Sequence, residues 1–409
     1  MFDVISVGSA TQDVFVRTEL SKIVTTRDVM NSHSLLAFDY GAKVNVDEVT
    51  FCTGGGGTNT AVAFARLGLR SAFFGKVGCD EAGDAVLAEL EREGVDTSFA
   101  VRSTEHATGY SVVLNSFEGD RTILVYRGAN SHITFRDVDL DKFKNTRWMY
   151  ISSLSGTAAE LLDDFAFFSE EHGINLALNP GSTQIQMGLK GMAKILSVVE
   201  ILFLNKEEAS RLTGIQWSRR VVDYERCTLC GACVEVCPYG LWSIVDGRVV
   251  LGDERKCRRT GYCIRACVPR AIRMEPWASN LDPIMLALKA LGPKIVVVTD
   301  GNQGAQAYDG ETLYYMPPYS VPAVDTLGAG DAFGAAFTAA FILGHDLPTC
   351  LKWGCANGAS VVTHYGAKPG QLTRQALEEF IAAEERREVS VRQRKIDEDE
   401  AARIAAAGQ

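Results

Sequence analysis

TNTAVAFARLGLRSAFFGKVGCDEAGDAVLAELEREG, residues 58–94, decides the fold. TNTAVAFARLGL (58–69) carries apolar residues at helical spacing. SAFFGKVG (71–78) is a strand-like run. EAGDAVLAELEREG (81–94) is helical again and is stopped by Gly94. A buried strand between amphipathic helices is the unit of a parallel sheet covered on both faces. The same rhythm extends outward to DVISVG (3–8), WMYISS (148–153), INLALNP (174–180) and EILFLN (200–205). It resumes in PIMLALKALG (283–292) and KIVVVTDG (294–301). The expected class is α/β, and such sheets bind ligands beyond the carboxyl ends of their strands.

Composition fits this reading. The chain has 409 residues, 46% hydrophobic and 22% charged, enough apolar material for a full core. A net charge of −10 argues against non-specific nucleic-acid binding. MFDVISVG has no basic leader, and no apolar run reaches the ~18 residues of a membrane span. A cytoplasmic protein is expected, with neither membrane nor nucleic acid as partner. Seven of the eleven cysteines crowd between Cys227 and Cys267, which points to a metal site rather than a disulfide framework.

Four segments break the rhythm. Residues 110–126 form a hairpin pattern around a tight EGD turn, and residues 31–52 are partly β-like. Together they read as a small β lid, or alternatively as edge strands of the main sheet. Residues 218–279 carry the cysteines. Residues 376–409 read as a charged helical or disordered tail.

DTLGAGDAFGAAF (325–337) is the strongest catalytic signal. Gly328, Ala329 and Gly330 lead into a helix, where small residues let amides and the helix dipole approach an anion. Asp331 would face that anion and accept a hydroxyl proton, or would only cap the helix. The stretch resembles the C-terminal signature of the ribokinase-like (PfkB) carbohydrate kinase family. Further motifs match in order: VGSATQD (7–13), TGGGGTNTAVAFARLG (53–68), NKEE (205–208), VVTDGNQGA (297–305) and ANGASVVTHYGA (356–367).

The resemblance implies a kinase domain over 1–217 and 280–375, using ATP and Mg2+. It implies that Asp13, Gly55, Gly56 and Asn59 contact a sugar-like substrate. Asn205, Thr299, Gly301, Gly304 and Asn357 would lie at the nucleotide, with Glu208 organising magnesium through water. A monovalent cation near Asp325–Thr326 and a homodimer through the lid are further implications. Arg121 at the hairpin tip and Lys43 read as surface residues. His106, His172 and His364 read as structural, and Cys52, Cys79, Cys350 and Cys355 as core residues.

Cys227, Cys230, Cys233 and Cys237, followed by Pro238, give C-x2-C-x2-C-x3-C-P, the bacterial ferredoxin spacing. Zinc is the competing reading. Cys257, Cys263 and Cys267 repeat the pattern thirty residues on, with Gly261 matching Gly231 and Thr260 in the slot of Cys230. The segment resembles a two-cluster ferredoxin-like α+β module. Cross-ligation in that family implies a 4Fe–4S site from Cys227, Cys230, Cys233 and Cys267. Cys237, Cys257 and Cys263 would leave an incomplete second site for a 3Fe–4S cluster, a 4Fe–4S cluster or nothing. The insert is basic, eleven arginines and lysines against seven acids over 218–279. This suits an acidic redox partner, or simple compensation of cluster charge.

The expected function is ATP-dependent phosphorylation of a hydroxyl on a sugar or nucleoside, with the module serving redox sensing, electron transfer or structure. The competing reading is an iron–sulfur electron-transfer or scaffold protein that keeps the kinase fold for binding only.

Overall fold

The computed structural model describes residues 1–18, 22–27, 32–115, 121–215, 218–252, 261–276, 281–385, 389–397, 399–401 and 404. The first third contains β1 (Phe2–Val7), β2 (Thr11–Arg17), β3 (Lys22–Arg27), β4 (Ser32–Ala37), β5 (Glu48–Gly54) and α1 (Gly56–Arg66). β6 (Ser71–Phe74), β7 (Lys76–Gly78), α2 (Glu81–Arg92), β8 (Val101–Ser103), β9 (Gly109–Asn115) and β10 (Arg121–Tyr126) follow. The middle contains α3 (Leu140–Phe143), β11 (Thr146–Ile151), α4 (Leu162–His172), β12 (Asn175–Leu178), α5 (Ser182–Val198), β13 (Ile201–Asn205) and α6 (Lys206–Thr213). Next come β14 (Ser218–Val222), α7 (Ala232–Glu235), β15 (Trp242–Val245), β16 (Arg248–Leu251), α8 (Tyr262–Ala266) and β17 (Ile272–Pro276). The chain ends with α9 (Asp282–Lys289), β18 (Ile295–Thr299), β19 (Ala305–Tyr308), β20 (Thr312–Met316), α10 (Ala329–Ile342), α11 (Leu347–Val361), α12 (Arg374–Glu385) and β21 (Arg392–Lys395).

Nine strands form the main sheet, in the order β21-β20-β19-β18-β13-β12-β11-β1-β6. The six from β18 to β6 are parallel. Neighbouring residues on these strands serve opposite faces. Ile5, Met149, Leu202 and Val296 enter one core, while Val4, Tyr150, Phe203 and Val297 enter the other beside α10 and α11. Burial on both sides is why the strands read as unbroken apolar runs. β19, β20 and β21 add an antiparallel edge.

The segments outside the parallel rhythm differ in detail from expectation. Residues 32–52 do not act as one unit. Among the described residues β4 pairs with β3, whereas β5 joins a four-stranded sheet of order β10-β9-β2-β5. This sheet is separate from the main one, and it recruits β2, which carries Asp13. The EGD turn lies outside the described residues. The stretch 71–78 is broken after Phe74, so β6 joins the main sheet and β7 pairs with β8.

The tail also differs. Residues 392–395 are an edge strand, not a helix or disordered chain. Its exposed charges suit an edge, and Arg394 reaches Asp282 at the start of α9. Cys79 is exposed rather than part of the core.

The whole cysteine segment lies within one crossover. α6 follows β13, α9 precedes β18, and β13 still pairs with β18 from Ile201↔Ile295 to Asn205↔Thr299. Within the insert, β14 pairs with β17 and β15 with β16. A thirty-residue repeat governs it. Gly231 and Gly261 cap α7 and α8 with φ of 76° and 73°. Gly240 and Arg270 share φ near +55° (58° and 53°). The Leu241 amide donates to Cys237 Sγ at 3.5 Å and the Ala271 amide to Cys267 Sγ at 3.2 Å. Cys233, Trp242, Val249, Cys263 and Ile272 form its small core. Among the described residues, no helix is long and apolar enough to cross a membrane.

Candidate active site and cysteine site

The kinase-type motifs meet at the carboxyl edge of the parallel strands. Gly328 caps the N-terminus of α10, with φ 78°. A Cβ there would lie 2.2 Å from the Ala367 side chain, so only glycine fits. Gly330 faces open space. Helix geometry leaves the first-turn amides without intrahelical partners, so this is an anion-ready end.

Asp331, in the first turn, does not cap its own helix. Asn59 Nδ2, 272 residues earlier in the chain, donates to Asp331 Oδ2 at 2.8 Å. The carboxyl retains some accessible surface but sits deep in a crevice, and this burial raises its pKa against the Asn59 hydrogen bond. Asn59 Oδ1 is buried without a partner. A Cβ on Gly56 would approach Ser152 Oγ to 2.9 Å and Asp331 Oδ1 to 3.4 Å. Tyr150 lies fully buried beneath, its hydroxyl accepting from Asn179 Nδ2 at 3.4 Å.

The second carboxylate is Asp13, on β2. Thr11 Oγ1 donates to its Oδ1 at 3.0 Å. Burial raises its pKa, opposed by hydrogen bonds from Thr11 and Ser111 and by the charge of Lys368. A Cβ on Gly54 would fall 2.0 Å from Asp13 Oδ2. Gly55, at φ 99°, packs against Ser9 and Ala10. The glycine run therefore passes from one carboxylate to the other. Asn130 fixes the preceding turn by exchanging two 2.8 Å bonds with the backbone of Ala10.

Asn205 and Thr299 end the neighbouring strands β13 and β18 as a register pair. Asn205 Oδ1 accepts from the Glu208 amide at 2.8 Å, and Glu208 Oε2 accepts from the Asn205 amide at 2.9 Å. This capping box fixes Glu208 at the helix start. Burial raises the Glu208 pKa, and a bound cation would reverse that. Lys206 pairs with Asp300, tying this box to the Gly301–Gly304 turn.

One expected nucleotide contact is corrected. Asn357 is fully buried. Its Nδ2 donates to the Ala332 carbonyl at 3.0 Å, and its Oδ1 accepts from the Leu372 amide at 2.8 Å. Both ends of the amide clasp α11 to α10 and to the chain beyond, so none faces a ligand. Sequence reading missed Ser152, Asn130, Asn179 and Lys368. They sit in no recognisable spacing, and only the fold brings them to the site.

In the insert, Cys227, Cys230 and Cys233 line one pocket with Cys267, beside Val249 and Ile272. The fourth thiol thus comes from the second repeat. No three described His, Cys, Asp or Glu side chains converge on a single-ion site. A hydrogen bond from the Ala232 amide lowers the Cys230 pKa, whereas burial raises that of Cys233. Four thiols around an apolar pocket fit an iron–sulfur cluster. Cys237 and Cys263 lie elsewhere in the same small core. Cys257 and Thr260 lie outside the described residues.

Comparison with known proteins agrees with this geometry. An uncharacterized sugar kinase of Archaeoglobus fulgidus is 27% identical over 310 residues, 76% of this chain and 98% of its own. A 5-dehydro-2-deoxygluconokinase of Clostridium perfringens is 28% identical over 348 residues, 81% and 84% of the two chains. The solved Arabidopsis thaliana ribokinase, complexed with ribose and ATP, superposes with a TM-score of 0.62 at 21% identity, covering 93% of this chain and 98% of its own. The 4Fe-4S binding domain profile matches residues 220–242. The pfkB family carbohydrate kinase profile matches residues 21–224 and 277–374, most of the chain on both sides of the insert, and the protein belongs to that family.

Proposed function

We propose that this carbohydrate kinase transfers phosphate to a hydroxyl of a sugar or nucleoside, with Asp331 as the general base. The observation that carries the reading is the Asn59–Asp331 hydrogen bond, which joins the two family signatures at one crevice. Asp13, with Gly55 and Gly56, receives the sugar hydroxyls. An ionised carboxylate accepts hydrogen bonds from two of them and orients the molecule. Asp331 takes the proton of the attacking hydroxyl. The amides around Gly328, Ala329 and Gly330 stabilise charge on the transferring group.

Asn205, Thr299, Gly301 and Gly304 line the nucleotide side, and Glu208 organises hydrated Mg2+. When bound, ATP supplies the phosphoryl group and Mg2+ neutralises its charge. Cys227, Cys230, Cys233 and Cys267 would hold a 4Fe–4S cluster, which adds redox chemistry and cross-links the insert.

The small sheet leaves Val49 and Phe51 of β5 and Leu124 and Tyr126 of β10 exposed on its edge strands. We assign this face to a second copy of the chain. Sedimentation would then show a dimer that Phe51→Glu converts to monomer, whereas a monomeric wild type would refute the pairing.

The test of function is ADP release from MgATP against sugars, nucleosides and sugar phosphates, using anaerobically purified protein. Each assay is run oxidised and reduced. Turnover with one class establishes the reaction and names the acceptor. A redox-dependent rate makes the insert a regulator. No turnover with any acceptor in either state refutes the reading.

A further inference from the structure

Lys368 is only 3% exposed, and no motif accounts for it. It follows Gly366 and Ala367 in the loop after α11, and each of the three residues touches a different part of the site. The Gly366 amide donates to Asp325 Oδ2 at 3.3 Å. Ala367 packs on Gly328 at the start of α10. Lys368 Nζ crosses to the small sheet and α2, donating to Thr53 Oγ1 at 2.5 Å and to Glu89 Oε2 at 3.0 Å. Arg66 holds the loop from behind, donating to the carbonyls of Lys368 and Gln371 at 2.8 Å each.

Thr53 lies directly opposite Gln12, next to Asp13 in the β2–β5 register. The ammonium is therefore delivered to the strand pair that holds the Asp13 carboxylate. A lysine buried this deeply is costly unless its charge has a purpose or a partner. Glu89 is one partner. Asp13 and, more weakly, Glu93 are the other carboxylates in its field.

We propose that Lys368 is a positioning residue of the sugar site, which holds Asp13 as an ionised hydroxyl acceptor and locks β5 beside it. The inference rests on Asp13 being the sugar-binding carboxylate. Burial alone would push Asp13 towards its neutral form, which accepts fewer hydrogen bonds and can donate to only one hydroxyl. Lys368 opposes that, and Glu89 moderates it. The other charged or titratable groups around this cluster are Glu93 just after α2, Arg66 on α1, Cys52 on β5 and Asp325 before α10. Glu93 is paired with Arg66 at 2.8 Å. Asp325 is engaged by the Leu327 and Gly366 amides. Among the described residues, Lys368 is thus the cation that acts on Asp13.

The test has two arms on the full, cluster-loaded chain. The first needs no substrate. It is a urea-denaturation cycle of Lys368→Met, Asp13→Asn and the double variant. The expected result is that Lys368→Met loses at least half of its effect on the midpoint when Asp13 is already asparagine. Additive effects would overturn the proposal. The second arm is kinetic, with D-ribose and MgATP. Lys368→Met should raise the KM for D-ribose about tenfold, leaving kcat and the KM for ATP within about twofold.

The acid limb of kcat/KM for D-ribose should move to higher pH in Lys368→Met. In Glu89→Gln, which loses a like charge and keeps the lysine, it should move to lower pH. A packing role would not give shifts of opposite sign, and Glu89→Gln carries the test if Lys368→Met folds poorly. If Asp13→Asn raises the KM for D-ribose and Lys368→Met does not, the inference fails and the sugar-site reading survives. If Asp13→Asn itself leaves that KM unchanged, the sugar-site reading fails and takes the inference with it.

Discussion

Asp331 shows how a residue can be costly to the fold and yet suit the chemistry proposed for it. Its carboxyl is desolvated, with Asn59 as its hydrogen-bond partner, so its folded pKa stands above the ordinary 3.8. A carboxyl whose pKa is raised by folding favours the native state only below its unfolded pKa. That advantage is lost as pH rises through the folded value. Above that folded pKa the wild type therefore carries an unfavourable buried charge. Asp331→Asn removes the charge, and the new amide oxygen can still accept from Asn59. It should lower kcat by about 10²–10⁴-fold and raise Tm at pH 7 by roughly 1–3 °C. The Tm gap should shrink as pH falls through the folded pKa of Asp331, because the wild-type carboxyl then becomes neutral too. Wild-type kcat should fall on the acid side at a pH above that of an ordinary carboxylate. Calorimetry across pH, beside the rate profile, checks both. A variant that is less stable at pH 7 than at pH 4, relative to wild type, would contradict the burial argument.

At the scale of elements, the C-terminal strand is the instructive case. Arg394 on β21 pairs with Asp282 and Glu400, and the Asp282 side chain is 8% exposed. Burial raises the Asp282 pKa, and the charge of Arg394 opposes this. Removing the arginine leaves a buried carboxylate at the start of α9 with its main counter-charge gone. Since Arg394 is itself 45% exposed, solvent screening reduces the loss. Arg394→Ala should cost about 1–2 kcal/mol in urea denaturation, and Asp282→Asn in the same background should recover part of it.

The composition of 376–409 gave no sign of this strand, because RQRK has no apolar alternation and pairs only through its backbone with β20. The parallel strands were legible for the opposite reason. Runs such as IVVV at 295–298 are buried on both faces and leave no room for polar residues. Asp13, Asn59 and Asp331 were legible as candidate site residues because they sit in or beside glycine-bearing motifs. Lys368 and Asn130 were not, since long-range packing alone gives them a role. Asn357 was misread for the same reason: its amide resembles a ligand contact in sequence and is a helix clasp in the fold.

At the scale of the whole molecule, the insert joins the kinase where a change in its own packing can reach the phosphate side. Its only covalent connections are α6 and α9, which pack together in the core against β18. α6 spans eight residues, roughly 12 Å, and its N-terminal end is the Asn205–Glu208 box. The sheet does not depend on the insert for any strand, because β13 and β18 pair directly. Replacing residues 216–280 by a short Gly/Ser linker should therefore leave a folded kinase domain with its main sheet intact, measurable as a cooperative thermal transition. The four-cysteine variant, with serine at Cys227, Cys230, Cys233 and Cys267, should instead lose cluster absorbance and loosen the insert while the kinase core stays folded. Comparing the two separates structure from control. If both retain the wild-type KM for ATP, the insert is an appendage with its own redox work. If loss of the cluster alone raises that KM while the deletion does not, the unligated insert strains α6, and the cluster's task is to keep the Glu208 box in register. A deletion that fails to fold would show that α6 and α9 need the insert to close the crossover, contrary to the direct pairing of the strands they connect.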